Sequence, residues 1–310
     1  MEKRTFGRTG LAVSVLGFGG APIGVLKIQQ DRIEKILNTL LDRGVNVIDT
    51  AAMYAGSEEA IGNAVAHRRN EYVLISKCGQ AIEGLEGEAW SAQVITQTVD
   101  RALRRLKTDH LDVMLLHTCD LETLKKEEAL GALVAAREAG KVQFVGYSGD
   151  NEAAVYAAEH PEISVLQTSL NICDQANLDK ALSIALKNDV GVIVKRPIAN
   201  AAWKVLSDQP GFYQTYAQIY TDRLEKMGTT PADLGFDGEP QAVWPEIALR
   251  FTLSIPGVHT AIIGTTNPEH VAANIGIAAK GPLPQKMVEE LRQVFHRAES
   301  AAGETWNGLT

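Results

Sequence analysis

The chain alternates short, strongly apolar runs with longer segments in which apolar residues recur at helical spacing. The apolar runs are nearly continuous, which is typical of strands buried on both faces of a parallel sheet. Eight such runs occur, and they end at Gly17, Asp49, Lys77, His117, Ser148, Gln167, Lys195 and Gly264. Each is followed by a helix or by a segment long enough to hold one. Because right-handed βα units that close at eight form a barrel, the sequence predicts an α/β fold, the (β/α)8 TIM barrel.

The segments between the runs carry helix signals, with one exception. Residues 31–43 place isoleucine and leucine on one face, and Gly44 ends this helix. The exception is the stretch 200–244, which is aromatic and contains glycine and proline. We interpret it as an insertion after strand 7, with helices of its own, that lies over the barrel mouth. Residues 285–301 predict a further C-terminal helix, and residues 1–310 are predicted to form a single domain because no linker is visible.

Composition narrows the classes of protein that this chain can be. It has 310 residues, of which 45% are hydrophobic and 22% charged, with a formal net charge of −8. These fractions are ordinary for a globular protein and exclude a disordered or fibrous chain. The acidic balance and the absence of clustered basic residues argue against nucleic acid or an anionic membrane as a partner. No window of roughly 18 apolar residues occurs, so no membrane-spanning helix is predicted.

The cysteines and the N-terminal segment bear on the compartment. Cys78, Cys119 and Cys173 are too few and odd in number for a disulfide framework, which is typical of reduced thiols. The N-terminus lacks the uninterrupted apolar region of a signal peptide, so we expect a cytoplasmic protein. No metal site is predicted, because the His-x-His and carboxylate-rich ligand sets of metal-dependent barrels are absent.

Polar residues stand at the carboxyl ends of the predicted buried strands. In a parallel barrel these ends converge on one rim, so residues far apart in the sequence meet around a single opening. A carboxylate and an ammonium buried there need to be paired, and Asp49 and Lys77 lie on adjacent strands. Tyr54 lies on the loop after Asp49 and can turn back into the mouth, towards His117 at the end of another strand.

These residues stand in segments that resemble the aldo-keto reductases. The resemblance is carried by RTFGRTGLAVSVLGFGG at the N-terminus and then by NVIDTAAMYAGSEEAIG, LISKCG, LLH and GYS. It extends over nearly the whole chain. It implies reduction of an aldehyde or ketone to an alcohol by hydride transfer from a nicotinamide cofactor, with Asp49, Tyr54, Lys77 and His117 as the catalytic residues.

Acid–base chemistry supports these roles independently. A tyrosine hydroxyl has a pKa of about 10 and is a poor acid at neutral pH unless its anion is stabilised. Lys77 would lower the pKa of Tyr54, and Asp49 would hold the lysine charged and oriented. His117 would position the carbonyl oxygen by a hydrogen bond. Tyr54 is then the proton donor in reduction and, as tyrosinate, the base in alcohol oxidation.

The resemblance also implies a set of cofactor-binding residues. They are Gly20, Ser148, Gln167, Lys195, Arg196, Gly264, Thr265, His270 and Asn274. Ser148 and Gln167 match positions that hydrogen-bond the nicotinamide carboxamide, and IIGTTNPEHVAAN matches the segment that binds the adenosine phosphate. That segment has no lysine or arginine for a 2′-phosphate. We expect NADP(H) from the usual cofactor preference of the family, with NAD(H) or the use of both cofactors left open.

Two positions depart from the pattern of the family. Gly149 replaces the usual asparagine after Ser148, either with the loss of one amide contact or because a turn there needs positive φ. Lys195 occupies the place of an aromatic residue that stacks on the nicotinamide. A cation there would disfavour the oxidised ring; alternatively, Lys195 or Arg196 binds an acidic substrate or a pyrophosphate oxygen, or both are solvated rim charges.

Two other functions stay open at this point. Lys77 or Lys195 could be the Schiff-base nucleophile of a lyase or aldolase on the same barrel. The chain could also be a non-catalytic, cofactor-binding regulatory subunit. The expected partner is a small-molecule carbonyl substrate whose identity the fold does not reveal, and the sequence leaves the oligomeric state open.

Overall fold

A closed barrel of eight parallel strands forms the centre of the computed structural model, which describes residues 1–26, 28–209 and 211–310. The strands are β1 (Lys3–Thr5), β2 (Ala12–Ser14), β3 (Leu16–Gly19), β4 (Val47–Asp49), β5 (Val73–Cys78), β6 (Leu111–His117), β7 (Val142–Ser148), β8 (Val165–Ser169), β9 (Gly191–Lys195) and β10 (Thr260–Ile263). The barrel runs from β3 in sequence order to β10, which pairs with both β9 and β3. The predicted eight-stranded barrel is confirmed, and each predicted strand end lies within two residues of the observed one.

Helices cover the outside of the barrel between its strands. They are α1 (Ala21–Leu26), α2 (Gln30–Asp42), α3 (Ser57–Val65), α4 (Ala92–Leu106), α5 (Leu121–Lys125), α6 (Glu128–Glu138), α7 (Asn151–Glu159), α8 (Ser183–Lys187), α9 (Gly211–Met227), α10 (Pro240–Ser254), α11 (Pro268–Ala279) and α12 (Gln285–Ala302). A π-helical turn, Leu178–Leu182, leads into α8. None of the helices in the described residues is long and apolar enough to cross a membrane.

The barrel strands are buried on both faces, as their continuous apolar runs predict. One set of their side chains fills the barrel interior, where valine, leucine and isoleucine from six strands meet Phe6 and Val13 from the N-terminal segment. The opposite set packs against the helices in a second, larger apolar layer. Because apolar side chains fill the interior, polar chemistry is confined to the ends of the strands.

An antiparallel hairpin that the sequence analysis did not predict covers the amino-terminal end of the barrel. β1 and β2 pair from Lys3↔Ser14 to Thr5↔Ala12, and Phe6 between them is completely buried. Gly7 has φ +49°, and a Cβ there would lie 2.5 Å from the carbonyl oxygen of Asp189. The hairpin closes this end tightly, so the opposite, carboxyl end remains as the mouth.

The stretch after β9 forms the predicted insertion. Its 3₁₀ turns, Ala199–Ala201 and Leu206–Asp208, lead into α9, which lies at the carboxyl end of the barrel. The Tyr216 ring of α9 lies 4.2 Å from the Arg196 guanidinium, just beyond the end of β9. The predicted C-terminal helix is α12, and residues 303–310 continue from it across the rim of the mouth.

Candidate active site

A buried ion pair lies at the centre of the mouth. Asp49 ends β4, and Lys77 stands near the end of the adjacent strand β5. The Lys77 Nζ donates to Asp49 Oδ2 at 2.6 Å and to the carbonyl oxygen of Thr50 at 2.8 Å. Both charged side chains are at most 2% exposed. The structure therefore joins these two predicted site residues by direct contact.

Two further predicted residues extend this pair across the barrel. Gln167 on β8 donates from Nε2 to Asp49 Oδ1 at 2.8 Å, although β4 and β8 lie on opposite sides of the barrel. Ser148, paired in register with Gln167, donates from its hydroxyl to Gln167 Oε1 at 3.1 Å. The backbone N–H of Gly20 donates to the carbonyl oxygen of Asp49 at 2.7 Å. Both oxygens of the Asp49 carboxylate thus have a fixed donor.

Burial and the two donors act in opposite directions on the pKa of the Asp49 carboxyl group. Burial raises its pKa, whereas the charge and hydrogen bond of Lys77 and the hydrogen bond of Gln167 lower it. Burial outweighs these contacts, and the pKa of Asp49 lies above its ordinary value. The carboxylate depends on Lys77 to remain ionised.

Tyr54 lies beside this pair on the loop between β4 and α3. The Lys77 Nζ is 5.2 Å from the centre of the Tyr54 ring, and the ring meets His117 edge to face with centroids 5.8 Å apart. Burial raises the pKa of Tyr54, and the Lys77 charge lowers it by less. Lys77 acts in the predicted direction, but loss of solvent outweighs it, so the pKa of Tyr54 lies above its ordinary value. Its phenol is protonated at neutral pH and has a cation close enough to stabilise the phenolate.

His117, at the end of β6, completes the predicted catalytic group. Burial, the Lys77 charge and the Lys195 charge together lower the pKa of His117 well below its ordinary value. The imidazole is therefore neutral at neutral pH. Its Nδ1 is buried and has no hydrogen-bond partner among the described residues. A neutral ring with an unused nitrogen beside Tyr54 can hydrogen-bond the oxygen of a bound carbonyl.

A second buried aspartate–lysine pair lies on the other half of the rim. The Lys195 Nζ is 2.8 Å from Asp150 Oδ2, and the Lys195 side chain is 13% exposed. The other oxygen of Asp150 accepts hydrogen bonds from the Thr168 hydroxyl, the Ser169 amide and the Asn177 side chain. Lys195 is therefore not a solvated rim charge. Asp150 was not predicted from the sequence, although its position on the rim loop after Ser148 is suited to a partner for a strand-end lysine.

Arg196 is directed to a different partner, the C-terminal tail, which we define as residues 306–310. Its guanidinium donates to the Ser169 hydroxyl at 2.7 Å and to the carbonyl oxygen of Leu309. The same tail is bound by Asn151, which accepts from the Gly308 amide at 2.8 Å. Arg196 is consequently no free rim charge, and its donors are shared with the chain itself. Nothing in the periodicity of the sequence indicates this contact.

The residues expected to bind the adenosine phosphate form a separate group at the start of α11. The hydroxyl oxygen of Thr265 lies 3.2 Å from His270 Nδ1, and the His270 side chain is exposed. A Cβ at Gly264 would lie 2.6 Å from Pro22, so only glycine fits there. Asn274 lines a narrow cleft with Thr265. Among the described residues, no hydrogen bond or ion pair joins this group to the central ion pair.

The donor set at the mouth fits a nicotinamide cofactor. The Ser148 hydroxyl retains acceptor capacity, and the Gln167 amide retains one N–H, which together match the donor and acceptor of a carboxamide. The glycine at position 149 is required by packing, since a Cβ would lie 2.3 Å from the Tyr147 hydroxyl. The explanation by positive φ is wrong, because Gly149 does not adopt it.

The three cysteines take no part in the mouth. Cys78, Cys119 and Cys173 are free thiols and are buried in the layer between strands and helices. In the described part of the chain, no group of three or more His, Cys, Asp or Glu side chains is arranged to hold a metal ion. The polar chemistry of the mouth therefore rests on the two ion pairs and their neighbours.

Comparisons with known proteins agree on one family. The profile of the "Aldo/keto reductase family" matches residues 15–295. The chain is 24% identical to the L-galactose dehydrogenase of Arabidopsis thaliana, covering 99% of this chain and 97% of that one. It is 26% identical to the aldo-keto reductase str7 of Strobilurus tenacellus, over 93% and 90% of the two chains. The holo form of aldo-keto reductase AKR11C1 from Bacillus halodurans is similar in structure, with a TM-score of 0.79, 25% identity and coverage of 95% and 96%.

Proposed function

The chain belongs to the aldo/keto reductase family, and we propose that it reduces an aldehyde or ketone to an alcohol with Tyr54 as the proton donor. The family establishes an oxidoreductase that uses a nicotinamide cofactor and small carbonyl substrates. The observation that carries the finer proposal is the contiguous cluster of Asp49, Lys77, Tyr54 and His117 at one mouth.

Proton transfer from Tyr54 follows from the electrostatics of this cluster. Because burial raises its pKa, the phenol keeps its proton until negative charge develops on a nearby oxygen. The Lys77 ammonium then stabilises the phenolate that remains, and Asp49 holds that ammonium in place by the 2.6 Å contact. In the reverse direction the same phenolate accepts the proton of an alcohol.

His117 positions the substrate in this proposal. Its imidazole is neutral and meets the Tyr54 ring edge to face, which supports the binding of one substrate oxygen by both side chains. Hydrogen bonds to that oxygen grow stronger as it becomes negative, which favours the transition state over the bound ground state.

The cofactor supplies the hydride when it is bound. Ser148 and Gln167 would hold its carboxamide, while Gly264, Thr265 and His270 would lie at its adenosine end. We propose NADPH as the preferred cofactor, following the family, with the exposed His270 imidazole as the nearest group for a 2′-phosphate. Titration of the protein with NADPH and with NADH decides this preference directly.

The geometry of Lys77 disfavours a Schiff-base mechanism. A lysine nucleophile needs a free, uncharged amine, whereas Lys77 is bound to a carboxylate and a carbonyl oxygen inside the protein. Lys195 is likewise paired with Asp150. Treatment with borohydride and a carbonyl compound is expected to leave both lysines unmodified, and a trapped adduct would favour the aldolase alternative.

Substitution of Tyr54 by Phe tests the proposal. We expect a loss of turnover of about a thousandfold, within the range for removal of a general acid, with little change in cofactor affinity. Turnover is followed by the absorbance of the reduced nicotinamide with a panel of simple aldehydes and ketones. Tyr72→Phe is the matched control, since Tyr72 is a buried phenol whose hydroxyl donates to the Val65 carbonyl oxygen outside the mouth.

Three outcomes of this experiment have distinct meanings. Wild-type turnover in Tyr54→Phe contradicts the proton-donor role. Absence of turnover in the wild-type protein with every substrate, together with intact cofactor binding, favours a non-catalytic regulatory subunit. Equal losses of turnover in the Tyr54 and Tyr72 variants indicate damage to the fold, which the thermal unfolding of each protein detects.

A further inference from the structure

The half of the rim formed by β7 to β9 holds a cation that the acid–base chemistry does not use. We propose that Lys195, held by Asp150, makes the site discriminate against the oxidised nicotinamide and thereby favours binding of the reduced cofactor. This inference rests on the proposed function, because it concerns the same cofactor site. It assigns Lys195 a role in cofactor specificity that differs from proton transfer and from substrate positioning.

The position of Lys195 follows from the division of the rim. Tyr54, Lys77 and His117 follow or end β4, β5 and β6, so a substrate carbonyl lies over that half. The reacting carbon of the cofactor must face this carbonyl from the other half, above Ser148 and Gln167. Lys195 ends β9, which is next to β8, the strand that bears Gln167. The ammonium therefore stands beside the place that the nicotinamide ring takes.

The ammonium, rather than the carboxylate, is the member of the pair that reaches the mouth. The Asp150 side chain is not exposed at all, whereas 13% of the Lys195 side chain is exposed. Asp150 also accepts hydrogen bonds from Thr168, Ser169 and Asn177 on the side away from Lys195. The Lys195 charge contributes to lowering the pKa of His117 and of Asp49 in the acid–base half.

A neighbouring cation acts differently on the two redox states of the cofactor. The oxidised nicotinamide ring carries a positive charge and the reduced ring is neutral, so Coulomb repulsion raises the free energy of the oxidised complex alone. The reduced complex is unaffected to first order. The ratio of the two dissociation constants, oxidised over reduced, is the quantity that reports this effect.

A second cation stands in this half and is kept constant in the test. Arg196 donates to Ser169 and to the tail carbonyl of Leu309, and its planar face lies against the Tyr216 ring. These partners are neutral, so they hold the guanidinium in place without cancelling its charge. The contribution of Lys195, whose partner is the Asp150 carboxylate, is therefore measured with variants that leave Arg196 unchanged.

The test compares dissociation constants of NADP⁺ and NADPH by isothermal titration calorimetry at one ionic strength. The two molecules differ at the nicotinamide, so contributions of the adenosine end cancel in their ratio. We expect Lys195→Met to lower the ratio of oxidised to reduced dissociation constants by about tenfold, equivalent to roughly 1.4 kcal/mol. Lys195→Arg keeps the charge and is expected to leave the ratio within about twofold of the wild-type value.

A buried Asp150 without its lysine can destabilise the protein, so a second variant accompanies the first. Lys195→Met combined with Asp150→Asn removes both charges and is expected to lower the ratio in the same direction. An unchanged ratio in both variants, or equal weakening of NADP⁺ and NADPH, overturns the inference and leaves the reductase proposal intact. Failure of the wild-type protein to bind either cofactor overturns the proposed function instead.

Discussion

The mouth of the barrel contains two buried aspartate–lysine pairs that look alike and behave differently. Asp49 and Lys77 are joined at 2.6 Å, and Asp150 and Lys195 at 2.8 Å. The pKa of Asp49 lies above its ordinary value because burial outweighs Lys77 and Gln167. The pKa of Asp150 lies below its ordinary value. Burial raises this pKa, but Lys195 and the Ser169 amide together lower it by more.

The difference shows that the surroundings, and not the ion pair itself, decide what a buried carboxylate does. Asp49 has two side-chain donors and is kept charged at a cost, which suits a group that must hold Lys77 charged beside Tyr54. Asp150 accepts from the Thr168 hydroxyl, the Ser169 amide and the Asn177 side chain, so its charge joins β8 to the loop that follows it. In the proposed mechanism the first pair serves the acid–base chemistry, whereas the second anchors the rim.

The largest expected difference between the pairs is in turnover. Lys77→Met removes the cation that stabilises the Tyr54 phenolate, and we expect turnover to fall by about a thousandfold. Lys195→Met removes the paired cation of the other half, and we expect a loss of less than about tenfold. Steady-state rates with saturating reduced cofactor and one aldehyde measure both.

The two lysine variants serve as controls for each other, because each removes a buried ammonium and leaves an aspartate unpaired. Circular dichroism and the dissociation constant of NADPH establish that each protein is folded and binds cofactor. If Lys195→Met were as inactive as Lys77→Met, the division of the rim into an acid–base half and a cofactor half would be wrong.

The next difference between the two pairs, of intermediate size, is expected in the free energy of unfolding. Asp150→Asn is expected to lower the free energy of unfolding by about 3 kcal/mol at neutral pH, as for a broken buried pair. Asp49→Asn also leaves a buried lysine without its carboxylate, but we expect a smaller loss than for Asp150→Asn, because burial outweighs the contacts that favour the Asp49 charge. Urea unfolding of the two variants and the wild type measures these values.

The effect of Asp150→Asn on the free energy of unfolding depends on pH in a definite direction. A lowered pKa means that ionised Asp150 contributes stability above its unfolded value of 3.8, and that this contribution is lost as the pH falls below that value. The gap between wild type and Asp150→Asn should therefore close in acid. A gap that stays constant with pH would show that the Asn side chain disrupts packing rather than an ion pair.

Sequence reasoning predicts the first pair and misses the second for a physical reason. Asp49 and Lys77 stand on adjacent strands at the same rim, so strand order alone brings them together. Asp150 lies two residues beyond a strand end, and its contact with Lys195 depends on the path of a loop. Loop paths are set by tertiary contacts, such as the Asn177 amide that binds Asp150, and these leave no periodic pattern in the sequence.

The elements of the fold divide in the same way, into those that leave a pattern in the sequence and those that do not. All eight barrel strands were predicted, because burial on both faces leaves an apolar run that can be seen directly. The N-terminal hairpin was missed since each of its strands, β1 and β2, has three residues, too short for alternation to appear. The C-terminal tail was missed because its backbone, rather than its side chains, is what Arg196 and Asn151 recognise.

The smallest predicted effect concerns a third buried carboxylate, Asp174, which has no lysine partner among the described residues. Its Oδ2 accepts from the Tyr220 hydroxyl at 2.9 Å and the Leu309 amide at 3.2 Å, and its Oδ1 is buried without a partner. Burial, followed by the charge of Asp150, raises the pKa of Asp174 to about 6. It therefore shows what happens to a rim carboxylate that lacks the cation of the other two.

The sign for Asp174 is opposite to that for Asp150. Because the folded protein holds this proton more tightly than the unfolded chain, its contribution to stability is largest below its unfolded pKa of 3.8 and falls as the pH rises to about 6. Asp174→Asn removes this titration, so its free energy of unfolding should decline less than that of the wild type between about pH 4 and 7, by roughly 2 kcal/mol. Urea unfolding at a series of pH values gives the difference curve. Parallel curves for the two proteins would mean that Asp174 remains ionised in the fold, and that a carboxylate of this rim needs no lysine to stay charged.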